Sequence, residues 1–168
     1  MGLALYPGSF DPVHNGHLAV IDAAAAIFEQ VVVAVGHNPA KPSGLFTPEE
    51  RMELITEVIA HHTNVSVSSF TGLATAAAVE RGASCLLKGV RSASDLDTEM
   101  LQANMNAETG GVPTVFLPGL GRHALVSSRY VREIAGAGGD VAAVVPAVVG
   151  QRLRQRISER ATVKGAAP

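Results

Sequence analysis

The sequence predicts an α/β fold, a single domain built on a doubly wound parallel sheet of five strands with helices on both faces. Three observations lead there. Five short runs of apolar and β-branched residues recur along the 168-residue chain: Leu3–Tyr6, Val31–Val35, Val65–Ser69, Cys85–Lys88 and Thr114–Leu117. Near-continuous runs of this kind are what parallel strands buried on both faces require. Segments with helical spacing separate them, which implies βαβ crossovers. Apolar residues make up 47% of the chain and aromatics 4%, with no Trp. The core therefore rests on Ala, Val, Leu and Ile, and it needs neither disulfides nor metals.

The first strand runs into the loop Tyr6–His17. Leu18, Ile21, Ala25 and Phe28 then recur at helical spacing before the second strand. Thr47-Pro48-Glu49-Glu50 is a helix start: Thr47 caps, Pro48 suits the first turn and Glu50 completes a capping box. Met52, Ile55 and Ile59 mark the buried face of that helix. Leu73–Arg81 is a helix stopped by Gly82, and Asp95–Glu108 one stopped near Gly110. Tyr130–Ala135 is a further helical run. Pro146 opens the last helix, whose basic residues Arg152, Arg154 and Arg156 read as a solvated face. The domain spans residues 1–160, and residues 161–168 read as a flexible C-terminal tail. Such a sheet is Rossmann-like, and its ligands sit beyond the carboxyl ends of the strands. Chemistry is therefore expected at Tyr6–His17, Gly36–Lys41, Phe70–Ala74, Lys88–Arg91 and Leu117–Arg129.

Composition excludes several partners. With a formal charge of −2 and a pI near 6.3, the chain lacks the basic surface that binds nucleic acid or an anionic membrane. The longest apolar stretches, Ala23–Ile27 and Val141–Val149, are too short to span a bilayer. The N-terminus shows no basic segment followed by an apolar one, and Tyr6 stands where myristoylation needs Ser or Thr. The lone Cys85, in an apolar run, reads as a buried small hydrophobe in a reducing compartment. The expected address is the cytoplasm.

The loop after the first strand carries the densest chemistry. Gly8 lets backbone approach a ligand, and Ser9 offers a hydroxyl and an amide. His14 and His17, three apart at a helix start, share one face, with Gly16 leaving room between them. Free amides at that helix end favour phosphate. Two other readings stay open on spacing alone: a capped turn with one packed ring, or a metal pair completed by His37. Lys41 follows the second strand, either as a solvated lysine or as a cation for phosphate. Lys88-Gly89-Val90-Arg91 flanks a glycine with two cations at the ligand edge. Glu99 shares a helix start with Asp95 and Asp97. Ser127 is a natural cap, and Ser127-Ser128 again suits phosphate. Gly119–Ala124 matches a dinucleotide fingerprint, but it follows the fifth strand instead of the first, and Pro118 and His123 make a poor helix opening. No Walker A sequence is present.

Gly8-Ser9-Phe10-Asp11-Pro12 followed by His14-Asn15-Gly16-His17 resembles the signature of the HxGH nucleotidylyltransferase superfamily, and within it the bacterial phosphopantetheine adenylyltransferase family. The likeness continues in order through Asn38-Pro39-Ala40-Lys41, Phe46–Arg51, Lys88–Arg91, Glu99-Met100, Met105-Asn106, Val126-Ser127-Ser128 and Gly139-Asp140-Val141. The resemblance implies transfer of AMP from ATP to 4′-phosphopantetheine, giving dephospho-coenzyme A and pyrophosphate. Relatives with another acceptor, such as nicotinamide mononucleotide or glycerol 3-phosphate with CTP, and a non-catalytic nucleotide sensor are the alternatives. It implies His17, Lys41 and Arg91 as catalytic groups. ATP would meet Ser9, Phe10, His14, His17, Gly89, Val90, Arg91, Glu99, Ser127 and Ser128. The acceptor would meet Ser9, Lys41, Ala74 and Lys88. It also implies Mg²⁺ held mainly by ATP phosphates with no protein ligand, and a homohexamer. The chain departs from the family's pattern at Lys88 (usually Arg), Thr98 (often Tyr) and Arg129 (usually Ser).

Overall fold

The computed structural model describes residues 1–40, 44–119 and 121–165. Five parallel strands, β1 (Leu3–Gly8), β2 (Gln30–His37), β3 (Val65–Thr71), β4 (Cys85–Val90) and β5 (Thr114–Pro118), lie in the order β3-β2-β1-β4-β5. The order reverses between β1 and β4, so the crevice of this doubly wound sheet opens at their carboxyl ends. Six helices connect and cover the strands: α1 (Asn15–Ile27), α2 (Pro48–Val58), α3 (Ala74–Glu80), α4 (Ala93–Gly110), α5 (Ser128–Gly136) and α6 (Ala147–Gly165).

Alternation along the strands builds two cores. Ala4, Tyr6, Val31, Val33, Val35, Cys85 and Leu87 join α1, α2, α5 and α6 in the larger cluster. Leu5, Val32, Ala34 and Leu86 face the other way, onto Ala77 and Ala78 of α3. Successive strand side chains point to opposite faces, so each apolar run feeds both layers. Helix α4 differs from the rest because none of its side chains is buried.

Several boundaries depart from the sequence expectation. The strands run two or so residues further at their carboxyl ends, because parallel pairing continues there. Lys88, Gly89 and Val90 pair with Phe116, Leu117 and Pro118, so they form strand and not a basic turn. Helix α6 continues to Gly165, five residues into the segment expected to be a flexible tail. Arg156 is not a solvated residue either. It donates to the Leu45 carbonyl, pairs with Glu50, and lies 5.2 Å over the Phe46 ring. Glu50 thus closes the α2 capping box on Thr47 and ties α2 to α6. Cys85 is buried as expected, and burial pushes its thiol pKa up.

Candidate active site

The loop between β1 and α1 is shaped by buried charge. Asp11 accepts the backbone N–H groups of Leu45 (2.8 Å) and Phe46 (3.0 Å) and lies 3.5 Å from Arg51 Nε. Arg51, itself buried, donates to the carbonyls of Phe46 and Ser9. Arg132 of α5 donates to the Asp11 carbonyl. These bonds fix a loop containing a cis Asp11–Pro12 peptide and Phe10 at φ 47°. A left-handed phenylalanine is strained, and such strain persists only where surroundings over-determine the backbone.

Beyond it, His14 and His17 cap α1 reciprocally. His14 Nδ1 accepts from the His17 backbone and His17 Nδ1 accepts from the His14 backbone, both at 3.3 Å. A ring nitrogen that accepts carries no proton, so each imidazole holds its proton on Nε2. The rings stack at 3.7 Å, and Phe10 meets His17 edge-on at 4.9 Å. Burial, reinforced by the Arg91 charge, lowers the His14 pKa to about 4. Burial, the neighbouring His14 and Arg91 hold His17 well below its ordinary value. Both are therefore neutral donors near pH 7. The His14–His17–His37 metal alternative has no counterpart among the described residues, whose one such cluster lies elsewhere.

A cavity of about 360 Å³ opens above this cap, at the β1–β4 crevice. Of the residues singled out from sequence, it is lined by Ser9, His14, His17, Lys88, Gly89, Arg91, Glu99, Ser127 and Ser128. Phe10 stands behind His17, and Val90 falls outside the lining. Ala74 is not brought to it; it packs at the start of α3 against the smaller core. Lys41 lies outside the described residues. Gly16 also lines the cavity, and protein atoms crowd it. A Cβ there would sit 2.8 Å from the His123 carbonyl and 3.0 Å from the His14 ring, so its smallness admits the 121–123 turn. That turn is a short 3-10 segment, not the α-helix start a dinucleotide fingerprint needs.

Charge in the cavity is organised in pairs. Lys88 Nζ is 2.8 Å from Glu99 Oε2 and donates to Gln102. Arg91 grips Asp95 through Nε and Nη2 at 3.1 and 3.0 Å, and that bond holds the Asp95 carboxyl below its usual range. Lys88, Arg91, Arg129 and Arg132 face a single lining carboxylate, Glu99. Asp95, Glu133 and Asp11 pair the three arginines from outside the lining, at 3.0, 2.9 and 3.8 Å, so a polyanion would gain these cations by exchange of partners. Ser127 occupies the N-cap of α5, but its side chain makes no capping bond, whereas Ser128 Oγ donates to the Pro12 carbonyl at 2.9 Å. Arg129 pairs with Glu133 at 2.9 Å on an exposed face of α5. Thr98 bonds back to the Ser94 carbonyl. Sequence reasoning missed Tyr6, Arg132 and Asp11. The position of Tyr6 at a strand end, and of Arg132 one turn past Ser128, were signals for two of them.

A model of the cytidylyltransferase-like family matches residues 5–134. A solved structure from Vibrio parahaemolyticus, named for nicotinate-nucleotide adenylyltransferase, superposes with a TM-score of 0.64 at 17% identity. It covers 90% of this chain and 97% of that one, and it bears on the fold alone. Fold and matched residues thus define a chain of the cytidylyltransferase-like class. Three relatives narrow this. The phosphopantetheine adenylyltransferase of a Nocardioides species is 48% identical over 94% of this chain and 99% of its own. That of Streptomyces coelicolor is 44% identical over 95% and 100%, and that of a Synechococcus species 44% over 92% and 97%. The chain belongs to the phosphopantetheine adenylyltransferase family.

Proposed function

We propose that the protein transfers AMP from ATP to 4′-phosphopantetheine, releasing pyrophosphate and forming dephospho-coenzyme A. Family membership supports the reaction, and one observation supports the site. The mutual capping of His14 and His17 leaves two Nε2–H donors at a cation-rich cavity on the β1–β4 crevice.

The acceptor is already an anion, so no protein nucleophile is needed. One of its phosphate oxygens bonds to the α-phosphorus of ATP as the bond to the β-phosphate oxygen breaks. Bringing two polyanions together is the difficulty, and catalysis is positioning plus charge stabilisation. In this reading His17 donates from Nε2 to the α-phosphate oxygens as charge gathers there. A neutral imidazole that stays neutral needs no proton transfer. His14, Phe10 and the α1 cap hold its ring in place. Arg91 holds the leaving pyrophosphate, Lys41 and Lys88 hold the acceptor phosphate, and Ser9 orients it. Gly89, Glu99, Ser127 and Ser128 flank the nucleotide with Val90 beside Gly89 in the chain, and Ala74, outside the cavity, would meet only a pantetheine arm that extends beyond it. Lys88 and Arg91 are each paired with a carboxylate, so phosphate binding exchanges partners for cations already aimed. When bound with ATP, Mg²⁺ would supply further charge neutralisation. The one carboxylate lining the described cavity, Glu99, is engaged by Lys88, so the ion would be held mainly by ATP phosphates.

We also place the protein in the cytoplasm, on the unpaired, buried Cys85; among the described residues no helix is long and apolar enough to cross a membrane. A homo-oligomer, the hexamer implied by the resemblance, is supported by α4. It buries none of its side chains and leaves Met100, Leu101 and Met105 exposed.

The decisive experiment is a pyrophosphate-release assay with ATP or CTP against 4′-phosphopantetheine, nicotinamide mononucleotide and glycerol 3-phosphate. Turnover with ATP and 4′-phosphopantetheine is expected. Preference for another acceptor would overturn the assignment, and nucleotide binding without turnover would identify a sensor.

A further inference from the structure

Away from the cavity, Asp22 of α1 meets His61 and His62, which follow α2. His62 Nε2 lies 2.7 Å from Asp22 Oδ1 and His61 Nε2 lies 3.9 Å from the same oxygen. The three ligand atoms all fall within 4.8 Å of one another. The two imidazoles are neighbours, with ring centroids 4.1 Å apart. The framework behind them is fixed. The His62 backbone donates to the Ile59 carbonyl at 2.9 Å. Asn64 Nδ2 donates to the carbonyls of Ala25 and Phe28 at 2.9 and 3.0 Å, tying the segment after α2 to the end of α1. The His62 side chain is only 17% exposed. The ligands therefore project from two elements already locked together.

We propose that Asp22, His61 and His62 form a surface site for a divalent transition metal of the Zn²⁺ class. Two imidazoles and one carboxylate are the donor set that Zn²⁺, Co²⁺ and Ni²⁺ take, whereas Mg²⁺ and Ca²⁺ take oxygen. With metal–ligand bonds of about 2.0–2.2 Å, ligand atoms of a tetrahedral site lie roughly 3.3 Å apart. The observed separations bracket that value, so rotation of side chains closes the site without moving backbone. Each imidazole binds through its Nε2 lone pair. Where Nε2 carries the proton that His62 shares with Asp22, the proton moves to Nδ1 or to solvent on binding. Three protein ligands leave a fourth position to water. The site bridges α1 and the turn after α2, eight residues along α1 from the His14 cap. It is thus separate from the ATP-bound Mg²⁺ of the proposed reaction and does not depend on that reading.

The test uses tag-free, chelator-treated protein without nucleotide. Co²⁺ uptake is followed by visible absorption, Zn²⁺ by calorimetry, and stability by thermal unfolding. One equivalent of metal is expected, with a raised Tm, because the ion binds the folded chain. His61→Ala, whose ring is 66% exposed, and Asp22→Asn should each weaken binding by at least about tenfold. Both should retain native circular dichroism and full adenylyl transfer with Mg²⁺. Stoichiometric binding unchanged in both variants would place the metal elsewhere, for instance on His14 and His17, and sink the proposal. Absence of a saturable equivalent in the wild-type protein would reduce the trio to a hydrogen-bonded pin and do the same.

Discussion

At the scale of residues, the paired histidines are the most constrained feature. Each ring is fixed by a backbone amide on Nδ1, stacked on its neighbour and neutral. His17→Ala is expected to lower kcat by roughly 10²-fold, the cost of losing one donor to a developing oxyanion. ATP binding, followed by calorimetry, should survive. An unchanged kcat would remove His17 from the chemistry. The same burial has a consequence for stability. A histidine whose folded pKa is depressed binds its proton more readily when unfolded. Its contribution is complete above the unfolded value of 6.5 and fades as pH falls toward about 4 for His14, and lower for His17. The shift on buried His14 corresponds to a contribution on the order of 3 kcal/mol. Urea unfolding between pH 7 and pH 4.5 should show that loss. His14→Asn, which keeps a capping side chain but cannot titrate, should flatten the curve.

Elements are joined at glycines and arginines. Gly16 sits where a Cβ would press on the His123 carbonyl and the His14 ring. Gly16→Ala should displace the 121–123 turn from α1 and destabilise the protein by about 1–3 kcal/mol, together with a loss of kcat/KM. Gly150 is its opposite. It lies inside α6, and a Cβ there would make only ordinary contacts at 3.6 Å with Arg154 and Val145. Gly150→Ala should therefore stabilise the chain by about 0.5–1 kcal/mol. Thermal unfolding of the two variants, measured side by side, checks both signs. The α2 start was fully legible in Thr47-Pro48-Glu49-Glu50, because a capping box is local chemistry. The second partner of Glu50, Arg156, was not. Residues 106 positions apart meet only once α6 folds back over α2.

For the whole molecule, α3 with its N-cap residue and α4 together carry five of the exposed large apolar side chains, Leu73, Val79, Met100, Leu101 and Met105. Leu101 is 71% and Met105 61% exposed on α4, with Leu73 and Val79 on or beside α3. Apolar surface of this kind is what the proposed homo-oligomer would bury. Leu101→Glu with Met105→Glu should lower the mass measured by light scattering while leaving the monomer folded. An unchanged mass would take α4 out of the proposed homo-oligomer.

Alternating apolar runs, helical spacing and cap sequences are encoded within a few residues, so the sequence alone determined the five parallel strands and the helices between them, and with them the sheet edge at which a cavity opens. It also determined the His14–His17 pair, whose spacing on one helix face needs no distant partner. Only the tertiary structure decided which groups share the cavity. Tyr6 and Arg132 enter it while Ala74 stays away. It also decided that Lys88 and Arg91 arrive already paired, and that Asp22 meets His61 and His62. Those meetings depend on how strands are ordered and how helices cross them, and no local pattern in the chain carries that information.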